Sequence, residues 1–355
     1  MNARLQKLAT FLKEGEAAVV LSESNRLYYT DFDADSGLLW LTATSCGFVT
    51  DFRYTEAARR VITDMEVTEG KRFFSETIAV LKAQGVTRLY LEDETLTVVQ
   101  RRHFLRNADG VELVCDGTLC REIGHQRRVK DAGELRRIRR AQAVTEEGFS
   151  YILSRLQVGR TEKDVALDLE MYMRRNGADR VAFDFIAASG ENGALPHAVP
   201  SDRRLQTGDF LTLDFGATVD GYRSDMTRTV AIGSVSDEMK AVYDIVLAAQ
   251  RACLDGLRAG LSGAEGDRLA REVIERAGYG AAFGHSTGHG VGIDIHELPR
   301  LSSGNDERLM IGEIVTVEPG IYLEGRFGVR IEDMVCITAD GCENLTSAPK
   351  DLLIL

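Results

Sequence analysis

The sequence predicts a two-domain protein, α/β in its first third and α+β in the remainder, with its chemistry concentrated in the second domain. Three observations carry this expectation. The chain has 355 residues, 44% of them apolar, enough to bury two separate cores. From residue 1 to about 125, short apolar strand patterns alternate with helical ones, as in a small three-layer domain. Residues 126–355 then open on long amphipathic helices followed by hairpin-forming strands. Between the two, residues 121–131 gather Arg, His, Gln, Lys and Gly without apolar periodicity, which reads as a linker.

In the first domain, residues 4–13 have helical spacing, 17–21 and 37–41 read as apolar strands, and 53–61 return to helix. The cycle repeats with a helix over 74–84, a strand over 88–91, a helix over 96–107 and a strand over 111–114. His103 sits among Arg101, Arg102 and Arg106, the composition of a solvated helix face. In the second domain, Asp131 followed by Glu134 is a helix-start signature. Leu135, Ile138, Ala141, Val144, Phe149 and Ile152 then continue at helical spacing. Thr161 with Asp164 starts a second helix that runs through Val165, Leu169 and Met173 to the stop at Gly177. Residues 180–189 are strand-like, and 190–197 form a loop that ends on His197. Strands over 209–216 and 219–231 turn through Val219-Asp220-Gly221-Tyr222, a hairpin signal that brings Asp214 and Asp225 onto adjacent strands. Helices over 236–257 and 262–277 each open on a serine able to cap them.

Two carboxylates stand where strand formers should. Asp214 interrupts Phe210-Leu211-Thr212-Leu213-Asp214-Phe215, and Glu318 follows Ile314-Val315-Thr316-Val317. A buried carboxylate needs a partner, because isolated burial either neutralises it or costs several kcal/mol. With Asp225, Glu332 and His289 the set becomes four carboxylates and one imidazole, and these strands hold too few Lys or Arg to neutralise it. Oxygen-rich sites with one imidazole suit Mn²⁺, with Co²⁺, Zn²⁺ or Fe²⁺ as alternatives. Two metals sharing bridging carboxylates balance the charge better than one. Four of the six histidines, His197, His285, His289 and His296, fall within a span of 100 residues. The last three lie in a glycine-rich run that has neither the lysine of a phosphate loop nor the βαβ setting of a dinucleotide site.

Composition excludes several classes. A net charge of −12 with interspersed basic residues argues against a nucleic-acid surface. The amino terminus has no apolar run of signal-peptide length, and no stretch reaches membrane-spanning length. The six cysteines are scattered with no Cys-x-x-Cys, which suits reduced thiols in a cytoplasm.

Four segments in order, 212–229 (TLDFGATVDGYRSDMTRT), 288–300 (GHGVGIDIHELPR), 318–322 (EPGIY) and 330–333 (RIED), resemble the proline-specific metallopeptidases of the pita-bread fold, the prolidases and aminopeptidases P. The resemblance covers residues 130–355 closely. Over residues 1–125 it is looser and rests on a creatinase-type amino-terminal domain with Thr50-Asp51-Phe52-Arg53-Tyr54. It implies a creatinase-like domain at 1–125 and a pita-bread catalytic domain at 126–355. It makes Asp214, Asp225, His289, Glu318 and Glu332 the ligands of two divalent ions: Asp214 on one, His289 and Glu318 on the other, Asp225 and Glu332 bridging, with a bridging water as nucleophile. Glu318 would move the proton and His296 would stabilise the oxyanion, while His197 and His285 would shape the proline pocket. Arg300, Tyr322 and Arg330 would serve as substrate-binding or ligand-orienting groups.

A peptide bond before proline has no N–H, so a pocket fitted to the ring is needed to select it. Arg300, placed to pair with a substrate carboxylate in bidentate fashion, favours an Xaa-Pro dipeptidase over an aminopeptidase acting on longer peptides. Methionine aminopeptidase shares the ligands but lacks the first domain, and creatinase has the domains without the ligands. A pita-bread module that binds without catalysis is the remaining alternative. The resemblance also implies a homodimer in which one subunit's first domain narrows its neighbour's entrance, with Arg53 a contributor.

Overall fold

The structure is a computed structural model that describes all 355 residues. It divides into two compact units, Met1–Arg127 and Arg128–Leu355.

The first unit is built on a six-stranded sheet. Its strands are β1 (Glu16–Val20), β2 (Leu38–Thr42), β3 (Cys46–Thr50), β4 (Glu66–Glu69), β5 (Arg88–Leu91) and β6 (Glu112–Val114), in the order β4-β3-β2-β1-β5-β6. β1 is parallel to β5 and antiparallel to β2, so the sheet is mixed. The helices are α1 (Ala3–Ala9), α2 (Glu23–Thr30), α3 (Phe52–Val61), α4 (Phe73–Ala83), α5 (Val98–Asn107) and α6 (Thr118–Arg128).

The expected strands and helices are present, and three further elements appear. β3 was hidden by Gly47, whose bare backbone packs on the Trp40 ring; a Cβ there would lie 2.7 Å from it. α2 carries Ser24, Asn25 and Thr30 among its eight residues, and the Ser22 side chain caps it by accepting from the Asn25 N–H. β4, with the sequence Glu-Val-Thr-Glu, has a single apolar residue to announce it.

The expected linker is a correction. Most of residues 121–131 fall in α6, because Leu119, Ile123 and Gln126 share one buried helical face. The third of these is an amide, 3.1 Å from the Tyr29 hydroxyl, so apolar periodicity alone could not reveal the helix.

The second unit opens with α7 (Ala132–Leu153) and α8 (Glu162–Arg175), both started by capping boxes, Asp131 with Glu134 and Thr161 with Asp164. Then come β7 (Arg180–Val181), β8 (Ile186–Ser189), β9 (Phe210–Phe215), β10 (Ala217–Val219), β11 (Tyr222–Arg223) and β12 (Met226–Ala231). Helices α9 (Asp237–Gly256) and α10 (Gly263–Arg276) follow, capped by Ser236 and Ser262. The chain ends with β13 (Gly288–Gly290), β14 (Glu297–Leu301), β15 (Ile314–Val317), β16 (Gly320–Leu323), β17 (Phe327–Arg330), β18 (Asp333–Ile337) and β19 (Cys342–Asn344). The sheets are β12-β9-β8, β11-β10-β7, β14-β13-β15-β18-β19 and the pair β16-β17.

Two apolar cores back these sheets. Leu211, Leu213 and Phe215 of β9 pack with Phe149 and Ile152 of α7 and with Leu169 of α8. Val315 and Val317 of β15 pack with Val246 of α9 and Ile274 of α10. Strand alternation then turns Thr212 and Asp214 of β9, and Thr316 of β15, away from the helices. Each sheet is apolar on its helix side and polar on the other, and the polar sides carry the site.

Candidate metal centre

β9 and β12 pair antiparallel with Asp214 opposite Thr227 and Phe215 opposite Met226. Asp225 lies two residues before Thr227 and therefore on the same face as Asp214. The turn that returns the chain has positive φ at Asp220 (48°) and Gly221 (79°), as a tight hairpin requires. Gly216 allows the two strands to close on each other: a Cβ there would stand 1.9 Å from the Ser224 carbonyl oxygen.

From the other sheets, His289 lies on β13, Glu318 follows β15, and Glu332 stands between β17 and β18. Threonines fix them. Thr316 Oγ1 accepts from the His289 backbone N–H at 3.0 Å and donates to Glu318 Oε1 at 3.2 Å. Thr227 Oγ1 donates to Glu332 Oε2 at 2.6 Å. Ligand atoms of Asp225, His289 and Glu332 all lie within 4.8 Å of one another. His289 Nε2 is 3.6 Å from Asp225 Oδ2 and 3.3 Å from Glu318 Oε1. Asp225, His289, Glu318 and Glu332 are thus linked by close approaches, and Asp214 lines the same cavity.

The donor set fits divalent cations. Burial raises the carboxyls of Asp225 and Glu332 well above their usual range, and neighbouring carboxylates raise them further. Glu318 is pushed up to about 8, mainly by burial, although Arg330 opposes this. Asp214 donates nothing and accepts only on one side: Oδ2 takes a hydrogen bond from Arg330 at 2.6 Å, while Oδ1 is buried with no partner. Burial lowers His289 to about 3, so its imidazole is neutral, the ligand form. Its Nδ1 lies 3.1 Å from the Gly290 carbonyl, which fixes the proton on Nδ1 and leaves the Nε2 lone pair facing the carboxylates. The protein's own cations do not balance four carboxylates held this close.

The site forms the floor of a cavity of about 630 Å³. Its walls combine Phe183, Phe185, Ile186, Val199 and Pro200 with polar His197, His296 and Arg300.

Residues 136–339 match the model of metallopeptidase family M24, and residues 4–123 match the creatinase/prolidase N-terminal domain. An Xaa-Pro dipeptidase of Pyrococcus horikoshii is 32% identical over 357 residues, 99% of each chain. The solved Xaa-Pro dipeptidase from Bacillus anthracis is 39% identical with a TM-score of 0.95 and covers 99% of both chains. The X-Pro aminopeptidase from Thermotoga maritima is 36% identical with a TM-score of 0.91, covering 98% of this chain and 100% of that one. The chain belongs to metallopeptidase family M24.

In this metallopeptidase the five carboxylate and imidazole groups line one cavity, and the contacts of two other expected residues, Tyr322 and His285, define their places. Tyr322, expected to bind substrate or to orient a ligand, does not itself line the cavity. It sits behind the wall, where its hydroxyl accepts from Arg330 at 2.8 Å and pairs with His285 Nε2 at 2.8 Å. His285 lines the cavity but has both ring nitrogens engaged, Nδ1 with the Ser286 carbonyl at 2.9 Å and Nε2 with Tyr322. Burial lowers it to about 4, and it is held neutral as a shaping group rather than a proton carrier. His296 and His197 do line the cavity, and the His296 ring meets that of His289 edge-on at 4.4 Å. Arg300, on β14, is exposed at the cavity.

Arg330 is more central than the sequence implied. It is 3% exposed and donates to Asp214, Tyr322, Thr227 and the Pro196 carbonyl. The sequence reading missed Asp184 and Phe183 on the wall and the threonines at 227 and 316. The threonine signal was available, since each stands two residues from a ligand and so on its face of the strand. Asp184 carried none. In the first unit, Arg53 is exposed and forms a bidentate pair with Asp51, at 2.9 and 2.7 Å.

Proposed function

We propose that this metallopeptidase hydrolyses the peptide bond preceding proline, with Xaa-Pro dipeptides as its substrates. The observation that carries the reading is one cavity with a carboxylate–imidazole floor and an exposed guanidinium, Arg300, on its wall. A dipeptide fits that pairing, because its carboxylate directly follows the proline ring and can meet Arg300 in a bidentate contact. The aromatic and aliphatic wall would take the ring, which has no N–H to satisfy.

Asp214, Asp225, His289, Glu318 and Glu332 are the residues that would hold two divalent ions, Mn²⁺ foremost, with Co²⁺ or Zn²⁺ as alternatives. Bound there, the ions supply Lewis acidity, lowering the pKa of a water and polarising the scissile carbonyl. Glu318 accepts the proton of the attacking water and passes it to the departing imino nitrogen. His296, kept neutral by burial and by the charge of Arg300, donates an N–H to the developing oxyanion. His197 lies against the substrate across the cavity, and His285 keeps the wall in shape from its contacts with Tyr322 and Ser286. Arg330 orients Asp214.

A homodimer and a cytoplasmic setting belong to the same proposal. Six unpaired cysteines suit a reducing compartment, and no helix is long and apolar enough to cross a membrane. Release of the N-terminal residue from longer peptides is the second reading, supported by the likeness to the Thermotoga aminopeptidase. Hydrolysis of an Xaa-Pro dipeptide and the matching Xaa-Pro-Xaa tripeptide by Mn²⁺-loaded protein, beside Asp225→Ala, separates them. Dipeptide cleavage alone supports the proposal, a tripeptide rate at least as high supports the aminopeptidase, and silence on both refutes both.

A further inference from the structure

One wall of the cavity is a loop held by a residue far from the chemistry. Pro196, His197, Ala198, Val199 and Pro200 form that wall, in the segment between Ser189 at the end of β8 and Ser201. At the tip Val199 is 82% exposed, and beside it the small Ala198 side chain packs on Ile186 and Ala188. The polar hold comes from the base.

Glu162, the first residue of α8, is fully buried with no positively charged group bonded to its carboxylate. Its Oε1 accepts from the Ser189 N–H at 2.6 Å and hydroxyl at 2.7 Å. Its Oε2 accepts from the Ser201 N–H at 3.0 Å and hydroxyl at 2.6 Å. The Asn192 amide reaches both oxygens at 3.1 Å. One carboxylate thus closes both ends of the segment and its first turn. The helix backbone reinforces this, with Lys163 N–H donating to Ser201 O and Glu162 N–H to Arg203 O. The middle of the loop is tied to the metal centre only through the Pro196 carbonyl, which accepts from Arg330 at 3.3 Å.

The nearest cation, Arg203, reaches this carboxylate only through the Ser189 hydroxyl, to which it donates at 2.7 Å, so most of the cost of burial is offset by six hydrogen bonds that are charge-assisted and directional. Thr161 and Asp164 already cap α8, so the helix start does not require this carboxylate. What a carboxylate provides is simultaneous acceptance from two chain segments at a fixed separation.

We propose that Glu162 is the positioning residue that sets the His197–Pro200 wall at the width of a proline ring, and so governs selectivity for proline over an unconstrained residue. The inference rests on the proposed activity. Loosening the wall lowers substrate fit without touching the groups at the cavity floor, so the effect falls on KM and on substrate choice.

The test compares wild type, Glu162→Gln and Ser201→Ala, each Mn²⁺-loaded, on Xaa-Pro and Xaa-Ala dipeptides, with bound metal and backbone hydrogen exchange over 189–201. The glutamine amide keeps an acceptor for Ser189 but turns a donor toward the Ser201 N–H. Expected for Glu162→Gln are unchanged metal content, a KM for Xaa-Pro raised about 10-fold with kcat within about 2-fold, a fall of about 10-fold in the Xaa-Pro to Xaa-Ala kcat/KM ratio, and faster exchange at Ser189 and Ser201. Ser201→Ala moves the same quantities less and carries the test if Glu162→Gln does not fold. An unchanged selectivity ratio with unchanged exchange in folded variants overturns the proposal, as does a loss confined to kcat or metal content. Wild type silent on Xaa-Pro refutes the proposed activity instead, and the exchange readout alone then decides whether Glu162 clamps the loop.

Discussion

Replacing Arg330 with methionine removes the buried cation beside the carboxylate cluster while keeping an apolar stem of similar reach. The guanidinium donates to Asp214 Oδ2 at 2.6 Å, to the Tyr322 hydroxyl at 2.8 Å and to Thr227 Oγ1 at 3.1 Å. Breaking a buried ion pair by deleting one partner costs about 3–5 kcal/mol, because the remaining charge is left uncompensated. Without metal, that cost falls in full at Asp214, whose other oxygen, Oδ1, is buried with no partner of its own. With divalent ions bound, their charge replaces the guanidinium at Asp214, and what remains is about 1–2 kcal/mol for the neutral bonds to Tyr322 and Thr227. For a domain of this size each kcal/mol shifts Tm by about 2–4 °C. Scanning calorimetry should therefore show Arg330→Met lowering Tm by about 6–20 °C in excess chelator and by about 2–8 °C in excess Mn²⁺. Equal drops in the two conditions would refute the reasoning, because they would mean that the metals and Arg330 do not share Asp214.

Arg300→Ala should lower kcat/KM for an Xaa-Pro dipeptide by about 10- to 100-fold, the loss of one charge-assisted contact, and leave the tripeptide rate within about 3-fold; equal losses on both would remove the carboxylate anchor. His285, held at about 4 by burial against an ordinary 6.5, leaves the folded chain unprotonated while the unfolded chain takes up a proton. Its contribution is a loss of stability as pH falls from 6.5 to 4, about 3 kcal/mol in all, and His285→Gln should flatten the urea midpoint over that window by this amount. Gly216→Ala places a methyl 1.9 Å from the Ser224 carbonyl oxygen, so it should cost about 1–3 kcal/mol in overpacking and shift Asp225. Elemental analysis should then find fewer metal ions per chain than in wild type.

The chemistry was legible because it violated local rules. Carboxylates at Asp214 and after Val317 stand in or beside runs whose other residues are buried and, apart from Thr212 and Thr316, apolar, and no folding pattern asks for them there. Helix starts at Asp131, Thr161, Ser236 and Ser262 were equally readable, since a cap is a contact between residues three apart. α6 was not, because part of its buried face is polar and its partners are distant in sequence.

Sequence by itself determined the donor types on offer, four carboxylates and one imidazole, since hardness and charge belong to side chains wherever they lie. Tertiary structure alone decided how they are used. Arg330 pairs with Asp214 across 116 positions, Tyr322 joins Arg330 to His285, and Glu162 gathers Ser189 and Ser201 from a loop 27 to 39 residues away. Each of these depends on the direction of a side chain after distant strands and helices have packed, and no local pattern along the chain encodes that direction.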